Sequence, residues 1–291
     1  MRLEGDKPLC MTRLLLMEGN IAARRARAHA LGIRTSSEIY TLSIHAHFPD
    51  IAIDVVNAAD PDWKIPDGRD FADYDGFVIS GSALHAYDIE FAVTNQIDVL
   101  RQAAEAALPV FGSCWGLQIA AMAGGGAVQY HPKGKEVGFA RKIMPTEAGR
   151  GHPMFAHKPP VFDAPCIHYD EVLRLPEGST LLASNAHSEI QAAIIPLGKT
   201  QIWAVQYHPE YDVQQVLAVY SLYADDMIGP DFFADRAELD AYCAKLRTLI
   251  AHPDDAGAAW QLGIDADVLD DRTRRGEIIA WVETQVLGKA G

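Results

Sequence analysis

The sequence predicts an α/β fold, an open, mostly parallel sheet with helices on both faces, followed by a helical C-terminal extension. Three observations predict it. Short apolar runs alternate with Ala-rich segments of helical spacing through the first 123 residues, the pattern of parallel strands joined by crossover helices. The fourth run turns into a helix at a cysteine set between glycines, Gly112-Ser113-Cys114-Trp115-Gly116. Residues 225–291 lie past the alternation and carry helical spacing alone. A chain of 291 residues has room for one large α/β domain, 1–224, and an extension, 225–291.

In chain order, Arg13-Leu14-Leu15-Leu16-Met17-Glu18-Gly19 is an apolar run closed by glycine and reads as a first buried strand. Residues 21–48 read as helical, with a second helix start at Ser36-Ser37-Glu38, where a hydroxyl can cap free N–H groups. Arg24, Arg25, Arg27 and Arg34 make the one basic spot, read first as a solvated helix face and second as a contact for an anionic partner or substrate. Strands follow at Ile51-Ala52-Ile53-Asp54-Val55-Val56 and Gly76-Phe77-Val78-Ile79-Ser80, with a loop at 61–74 between them. Residues 92–108 are a helix by periodicity, and Gly124-Gly125-Gly126 ends the helix after Cys114.

The middle of the chain is less regular. Ala127-Val128-Gln129-Tyr130, Val137-Gly138-Phe139-Ala140-Arg141-Lys142-Ile143 and residues 179–183 read as shorter strands among Pro-rich turns. A last apolar run, Ile202-Trp203-Ala204-Val205-Gln206-Tyr207, leads into His208-Pro209-Glu210. In the extension, residues 234–251 carry Leu239, Tyr242, Leu246 and Leu249 at helical spacing, and a second helix over 271–287 opens at Asp271. These helices most simply pack on the main domain as extra core; a homodimer or partner-docking interface is the sharper alternative.

Charge narrows the function classes. With 25 Lys+Arg against 39 Asp+Glu the formal charge is -14, which argues against nucleic acid and against anionic membranes as partners. No apolar run approaches the roughly 20 residues of a membrane span. Glu4 and Asp6 before a short apolar stretch do not resemble a secretory signal, so the expected place is the cytoplasm. Cys10, Cys114, Cys166 and Cys243 lack the spacing of a zinc site or a disulfide framework.

The chemistry concentrates at Cys114. A thiol at the start of a helix meets free N–H groups and the positive end of the dipole, which favour a thiolate and can hold an oxyanion. Alone, the elbow serves equally for a buried structural cysteine. Gly81, at the carboxyl end of the third strand, and the N–H of Trp115 are candidate oxyanion donors. His85, close by, has no specific spacing and stays unassigned. His208 is a base for Cys114, and Glu210, two residues on along an extended segment, projects to the same side and orients the ring.

The elbow Gly112-Ser113-Cys114-Trp115-Gly116-Leu117-Gln118, with Tyr207-His208-Pro209-Glu210 about 90 residues later, resembles the class I glutamine amidotransferases. These are the Cys-His-Glu triad enzymes whose relatives include the glutaminase domain of GMP synthetase. Ile79-Ser80-Gly81-Ser82 sits where that family has its oxyanion loop, Glu136-Val137-Gly138-Phe139 is similar to the strand after the nucleophile helix, and His168-Tyr169-Asp170-Glu171-Val172 resembles its His-x-Asp-x-Val segment. Gln191-Ala192-Ala193 falls where a Gln-Ala strand is expected, so the likeness spans roughly residues 13–223.

The resemblance implies a flavodoxin-like fold and amide hydrolysis through a thioester. Cys114 attacks the glutamine side-chain amide, Gly81 and Trp115 stabilise the oxyanion, His208 protonates the leaving ammonia, and Gln118, Gly138, Phe139, His168 and Asp170 contact the substrate. Neither metal nor organic cofactor is implied. Ser113 stands where many relatives carry an aliphatic residue, and the loop of residues 80–88 lacks proline and offers His85 and Tyr87. Three functions fit: release of ammonia for a separate synthetase, hydrolysis of another γ-glutamyl amide or peptide with water alone, and, against the intact triad, a non-catalytic binding or regulatory relative.

Overall fold

The structure, a computed structural model, describes residues 11–229 and 232–288. Cys10 and the Glu4 and Asp6 of the amino-terminal stretch lie outside the described residues. In chain order the strands and helices are β1 (Arg13–Met17), α1 (Ala22–Ala30), α2 (Ser36–His45), β2 (Ala52–Val56), β3 (Gly76–Ile79), α3 (Phe91–Glu105), β4 (Val110–Ser113), α4 (Trp115–Ala123), β5 (Ala127–Tyr130) and β6 (Glu136–Pro145). Then come α5 (Glu147–Arg150), β7 (Phe162–His168), β8 (Asp170–Arg174), β9 (Thr180–Ser184), β10 (Ala192–Leu197), β11 (Thr200–Val205) and α6 (Val213–Leu222). The extension holds α7 (Arg236–Ala251), α8 (Ala256–Leu262), α9 (Ala266–Leu269), α10 (Asp271–Arg274) and α11 (Gly276–Trp281).

Five strands pair in parallel in the order β2-β1-β3-β4-β11, the strand order of flavodoxin-like sheets. From β11 the sheet continues antiparallel through β10, β9, β6 and β7, while β5 and β8 form a separate pair. The parallel half follows the alternation in the sequence. The antiparallel half is more ordered than its irregular pattern suggested: β7 and β8 run through residues with no clean period, because Pro165 and the polar Asp163, His168 and Asp170 are buried there by pairing rather than by apolar character.

The inner parallel strands β1, β3, β4 and β11 bury both faces, the edge strand β2 less so, and alternate residues take opposite sides. Leu15, Met17, Phe77 and Ile79 pack with Val99 of α3 and Leu117 of α4, whereas Leu14, Leu16, Val78 and Phe111 pack with Tyr40 and Ile44 of α2. The second face is completed by the extension: Ile278 and Trp281 of α11 are buried there, Trp281 with its ring 5.9 Å from that of Phe111. Each such buried large apolar side chain contributes about 1.5–3 kcal/mol. In α7, Leu239, Leu246 and Leu249 are buried against Val216 and Tyr220 of α6 and Phe139 of β6, with Tyr242 partly buried beside them.

Three local details differ from the sequence reading. The cap of α2 is Thr35, not Ser36 or Ser37: its side chain accepts from the Glu38 N–H while the Glu38 carboxylate accepts from the Thr35 N–H at 2.7 Å. The single helix expected over 271–287 is divided into α10, α11 and a π-helical turn, Val282–Val286. Its opening cap is Asp270, which accepts from the Thr273 N–H, while Asp271 pairs with Arg274, Arg275 and His47. Among the described residues no helix is long and apolar enough to cross a membrane, and no group of three or more His, Cys, Asp or Glu is arranged to hold a metal ion.

Candidate active site

The elbow forms because β4 ends at Ser113 and α4 begins at Trp115, leaving one residue to reverse the backbone. Cys114 does so at φ 51° and ψ -97°, outside the left-handed well that glycine uses, and its N–H donates to Val205 of the neighbouring parallel strand at 2.7 Å. A non-glycine residue in such a conformation costs on the order of 1–3 kcal/mol and is held only by surrounding structure. Gly112 supplies that closeness, since a Cβ there would lie 2.8 Å from the Cα of Gly116. The thiol is 5% exposed, lines a cavity enclosing about 140 Å³ of water-accessible space, and donates to the Ile167 carbonyl at 3.6 Å.

Beyond β11, Pro209 and Glu210 form a turn in which the Tyr211 N–H donates to the His208 carbonyl. His208 and Glu210 are buried, with Nδ1 of the ring 2.6 Å from Oε1 of the carboxylate. The two side chains therefore meet across a turn and not along the extended segment that the spacing suggested. The ring stacks on Tyr211, with centroids 4.1 Å apart and planes 15° from parallel. His208 Nε2 has no nitrogen or oxygen partner among the described residues, which leaves it for the sulfur of Cys114. Burial opposes a charged ring, but the Glu210 carboxylate and the Cys114 sulfur outweigh it and raise the pKa to about 10.

Gly81 lines the cavity, and a Cβ at this position would lie 2.7 Å from Cε1 of His208. Its lack of a side chain makes room for the imidazole as well as exposing its backbone. Among the described residues neither the Gly81 nor the Trp115 N–H has an acceptor, so both donors are unused. The Trp115 indole points away into the core and donates to Gln96 at 2.9 Å.

Gln118, His168 and Asp170, all buried, form the closed end of the cavity. The Asp170 carbonyl accepts from Gln118 at 3.3 Å and lies 3.0 Å from His168 Nδ1, while Glu136 lies 2.9 Å from His168 Nε2 and fixes the ring from behind. The Asp170 carboxylate meets His85 at 2.7 Å and Tyr87 at 3.3 Å, which gives the unassigned His85 a partner.

Gly138 and Phe139, expected to contact substrate, do not line this cavity. They stand one strand back, in β6, while its neighbour β7 brings Ile167 and His168 to Cys114. At φ +89° Gly138 instead makes room for the Tyr220 hydroxyl, and Phe139 packs into the α6–α7 cluster.

Glu18, a cavity residue, carried no signal in the sequence. Glu18 is fully buried and accepts from the N–H groups of Asn20 and Ser37 at 3.0 and 2.7 Å; nothing in its apolar neighbourhood distinguished it from a strand-end carboxylate. Ser113 turns away from the cavity, donating to Glu210 Oε1 at 3.0 Å and accepting from Tyr40 at 2.6 Å. Arg24, Arg25 and Arg34 line the cavity, so this basic spot is not merely a solvated helix face; Arg27 does not join them.

The class-I glutamine amidotransferase pattern matches residues 40–216. The chain is 35% identical over 204 residues to a γ-glutamyl-L-1-hydroxyisopropylamide hydrolase of Pseudomonas sp., covering 68% of this chain and 67% of that protein. It is 29% identical over 178 residues to γ-glutamyl peptidase 5 of Arabidopsis thaliana, covering 61% and 70% of the two chains. Its fold is similar to the crystal structure of a glutamine amidotransferase from Thermotoga maritima, with a TM-score of 0.62, 15% identity and 95% and 98% of the two chains covered. Strand order, motif order and the matched span agree: the chain belongs to the class-I glutamine amidotransferase family.

Proposed function

We propose that the protein hydrolyses the side-chain amide bond of γ-glutamyl amides and peptides, with water as the acceptor and no synthetase partner. The observation that carries this reading is the reach of the cavity past Cys114. It continues to a wall of Ala28, Ile33, Val219 and Leu222, more room than a departing ammonia needs. The similarity to the Pseudomonas hydrolase supports the same choice.

In this mechanism the Cys114 thiolate attacks the γ-carbonyl carbon, and the Gly81 and Trp115 N–H groups hold the oxyanion. The carbon–nitrogen bond breaks as His208 gives its proton to the leaving amine, and a thioester remains. Water's hydroxyl then joins the carbonyl carbon, its proton returns to His208, and the thiolate leaves with release of glutamate. Glu210 holds the ring in position. Gln118, His168 and Asp170 hold the glutamyl group at the closed end.

The competing reading is a glutaminase that feeds ammonia to a separate synthetase. One observation favours it: Ile89, 94% exposed, and the exposed Phe91 lie a few residues past the cavity residues Ser82, Ala83, Leu84 and His85, exposed apolar side chains in the segment that follows the cavity wall. Purified protein tested alone against glutamine and a panel of γ-glutamyl amides, with amine and glutamate release measured, separates the two. Turnover of substituted amides by the protein alone is expected; turnover restricted to glutamine and dependent on a second protein refutes the hydrolase reading.

A further inference from the structure

Arg24 and Arg34 stand at the open rim of the cavity that holds Cys114, on a protein whose formal charge is -14. The third arginine of the rim, Arg25, is committed: its guanidinium pairs with Asp60 and donates to the Asn20 carbonyl at 2.6 Å. Arg24 and Arg34 have no acidic or carbonyl partner among the described residues. The lining from the same segments is uncharged, with Ala28, Ile33, Thr35 and Ser36. Two unpaired guanidiniums at the rim favour a ligand with an anionic end.

The shape of the cavity says which end of the substrate that is. The glutamyl group stays on Cys114 as the thioester while the amine departs, so the acyl part occupies the closed end and the amine part lies toward solvent. The closed end is built from Gln118, His168 and Asp170, each no more than 4% exposed. The open end is built from Arg24, Arg34 and Tyr223.

We propose that Arg24 and Arg34 form an anion subsite for a carboxylate on the amine side of the scissile bond, so that the preferred substrates are γ-glutamyl peptides with a free carboxylate next to the cleaved bond. This inference rests on the γ-glutamyl hydrolase reading above and narrows its substrate class. Both guanidiniums are solvent-accessible, so their attraction is screened by salt and amounts to about three- to tenfold for a bound carboxylate.

The test compares γ-glutamylglycine with γ-glutamylglycinamide, which differ only in that carboxylate, using wild type and the Arg24→Gln/Arg34→Gln double variant of the full chain. Wild type is expected to favour the carboxylate substrate in kcat/KM by roughly three- to tenfold at low salt, and the double variant to bring the ratio close to one. Equal use of both substrates by wild type overturns the inference. So does a parallel fall on both in the double variant, because that assigns the arginines to the glutamyl α-carboxylate. Calorimetric binding of the two compounds to Cys114→Ala protein keeps the subsite testable without turnover. Tighter binding of γ-glutamylglycine supports it even where wild type hydrolyses neither compound, an outcome that refutes the hydrolase reading alone, and equal binding overturns it.

Discussion

Ser113 Oγ donates to the same oxygen of Glu210, Oε1, that meets His208 Nδ1, the two contacts being 3.0 and 2.6 Å. Tyr40 donates to Ser113 in turn at 2.6 Å, so a buried chain of hydrogen bonds runs from α2 through the residue before the nucleophile to the imidazole. An aliphatic residue at 113 has no such bond to give. A hydrogen bond to a charged group contributes about 1.5–3 kcal/mol, and a carboxylate short of one donor holds its histidine less firmly.

Ser113→Ala is therefore expected to lower kcat by about tenfold with KM little changed. Ser113→Thr, which keeps the hydroxyl, is expected to retain more activity than the alanine variant. Steady-state kinetics on a γ-glutamyl amide measure both. Equal kcat in wild type and the alanine variant, with only the thermal midpoint lowered, would show that the serine serves the fold alone.

Cys114→Ala is expected to abolish glutamate release and leave the circular dichroism spectrum unchanged, since the thiol's contacts, the Ile167 carbonyl at 3.6 Å and the His208 ring, hold no strand or helix in place. A diazoketone analogue of glutamine should label Cys114 in preference to Cys166 and Cys243. Those two thiols are buried outside the cavity, and burial pushes both up from their usual pKa, further for Cys166. Peptide mapping by mass spectrometry reads the outcome, and comparable labelling of Cys114, Cys166 and Cys243 contradicts a thiolate activated by its site.

The His208 pKa sets a sign for stability against pH. Folded, the ring titrates at about 10; unfolded, at the ordinary 6.5. Raised in the folded state, it contributes stability that is fully present below about pH 6.5 and is lost as pH rises through about 10. The urea midpoint of wild type should fall between pH 7 and pH 10 by more than that of His208→Gln, which has no proton to lose there. Parallel falls in the two proteins rule out the raised pKa.

Much of the fold is legible because a strand buried on both faces is apolar throughout, as in Leu14-Leu15-Leu16-Met17, and the helices between such strands keep their own period. The antiparallel half is less so. In β7 the buried Asp163 and His168 are satisfied by partners far along the chain, Lys142 and Glu136, and no local pattern reports such pairs. The same contrast divides the site. Cys114, His208 and Glu210 sit at turns with a glycine or proline within two residues, and such turns are legible in the sequence. Arg24 of α1 and Arg34 of the loop after it line one cavity with Val219 and Leu222 of α6, a tertiary fact that helix composition hides.

The extension reaches the site through one buried pair. Lys158 Nζ lies 3.1 Å from Glu277 in α11, both side chains fully buried, and Glu277 also accepts from Tyr207, the residue before His208, at 2.6 Å. Burial lowers the Lys158 pKa and raises that of Glu277, each opposed by the charge of the other. Removing one partner leaves an uncompensated buried charge, which costs about 3–5 kcal/mol, whereas replacing both with apolar residues of similar size is often neutral or better. Glu277→Gln is thus expected to destabilise the protein by about 3 kcal/mol in urea unfolding. Because the variant also weakens the carboxylate that fixes Tyr207, kcat should fall with it. Lys158→Met/Glu277→Leu should recover much of the stability but not the kcat, since leucine offers Tyr207 no acceptor. Recovery of both together in the double variant would mean that the pair holds α11 in place without positioning His208.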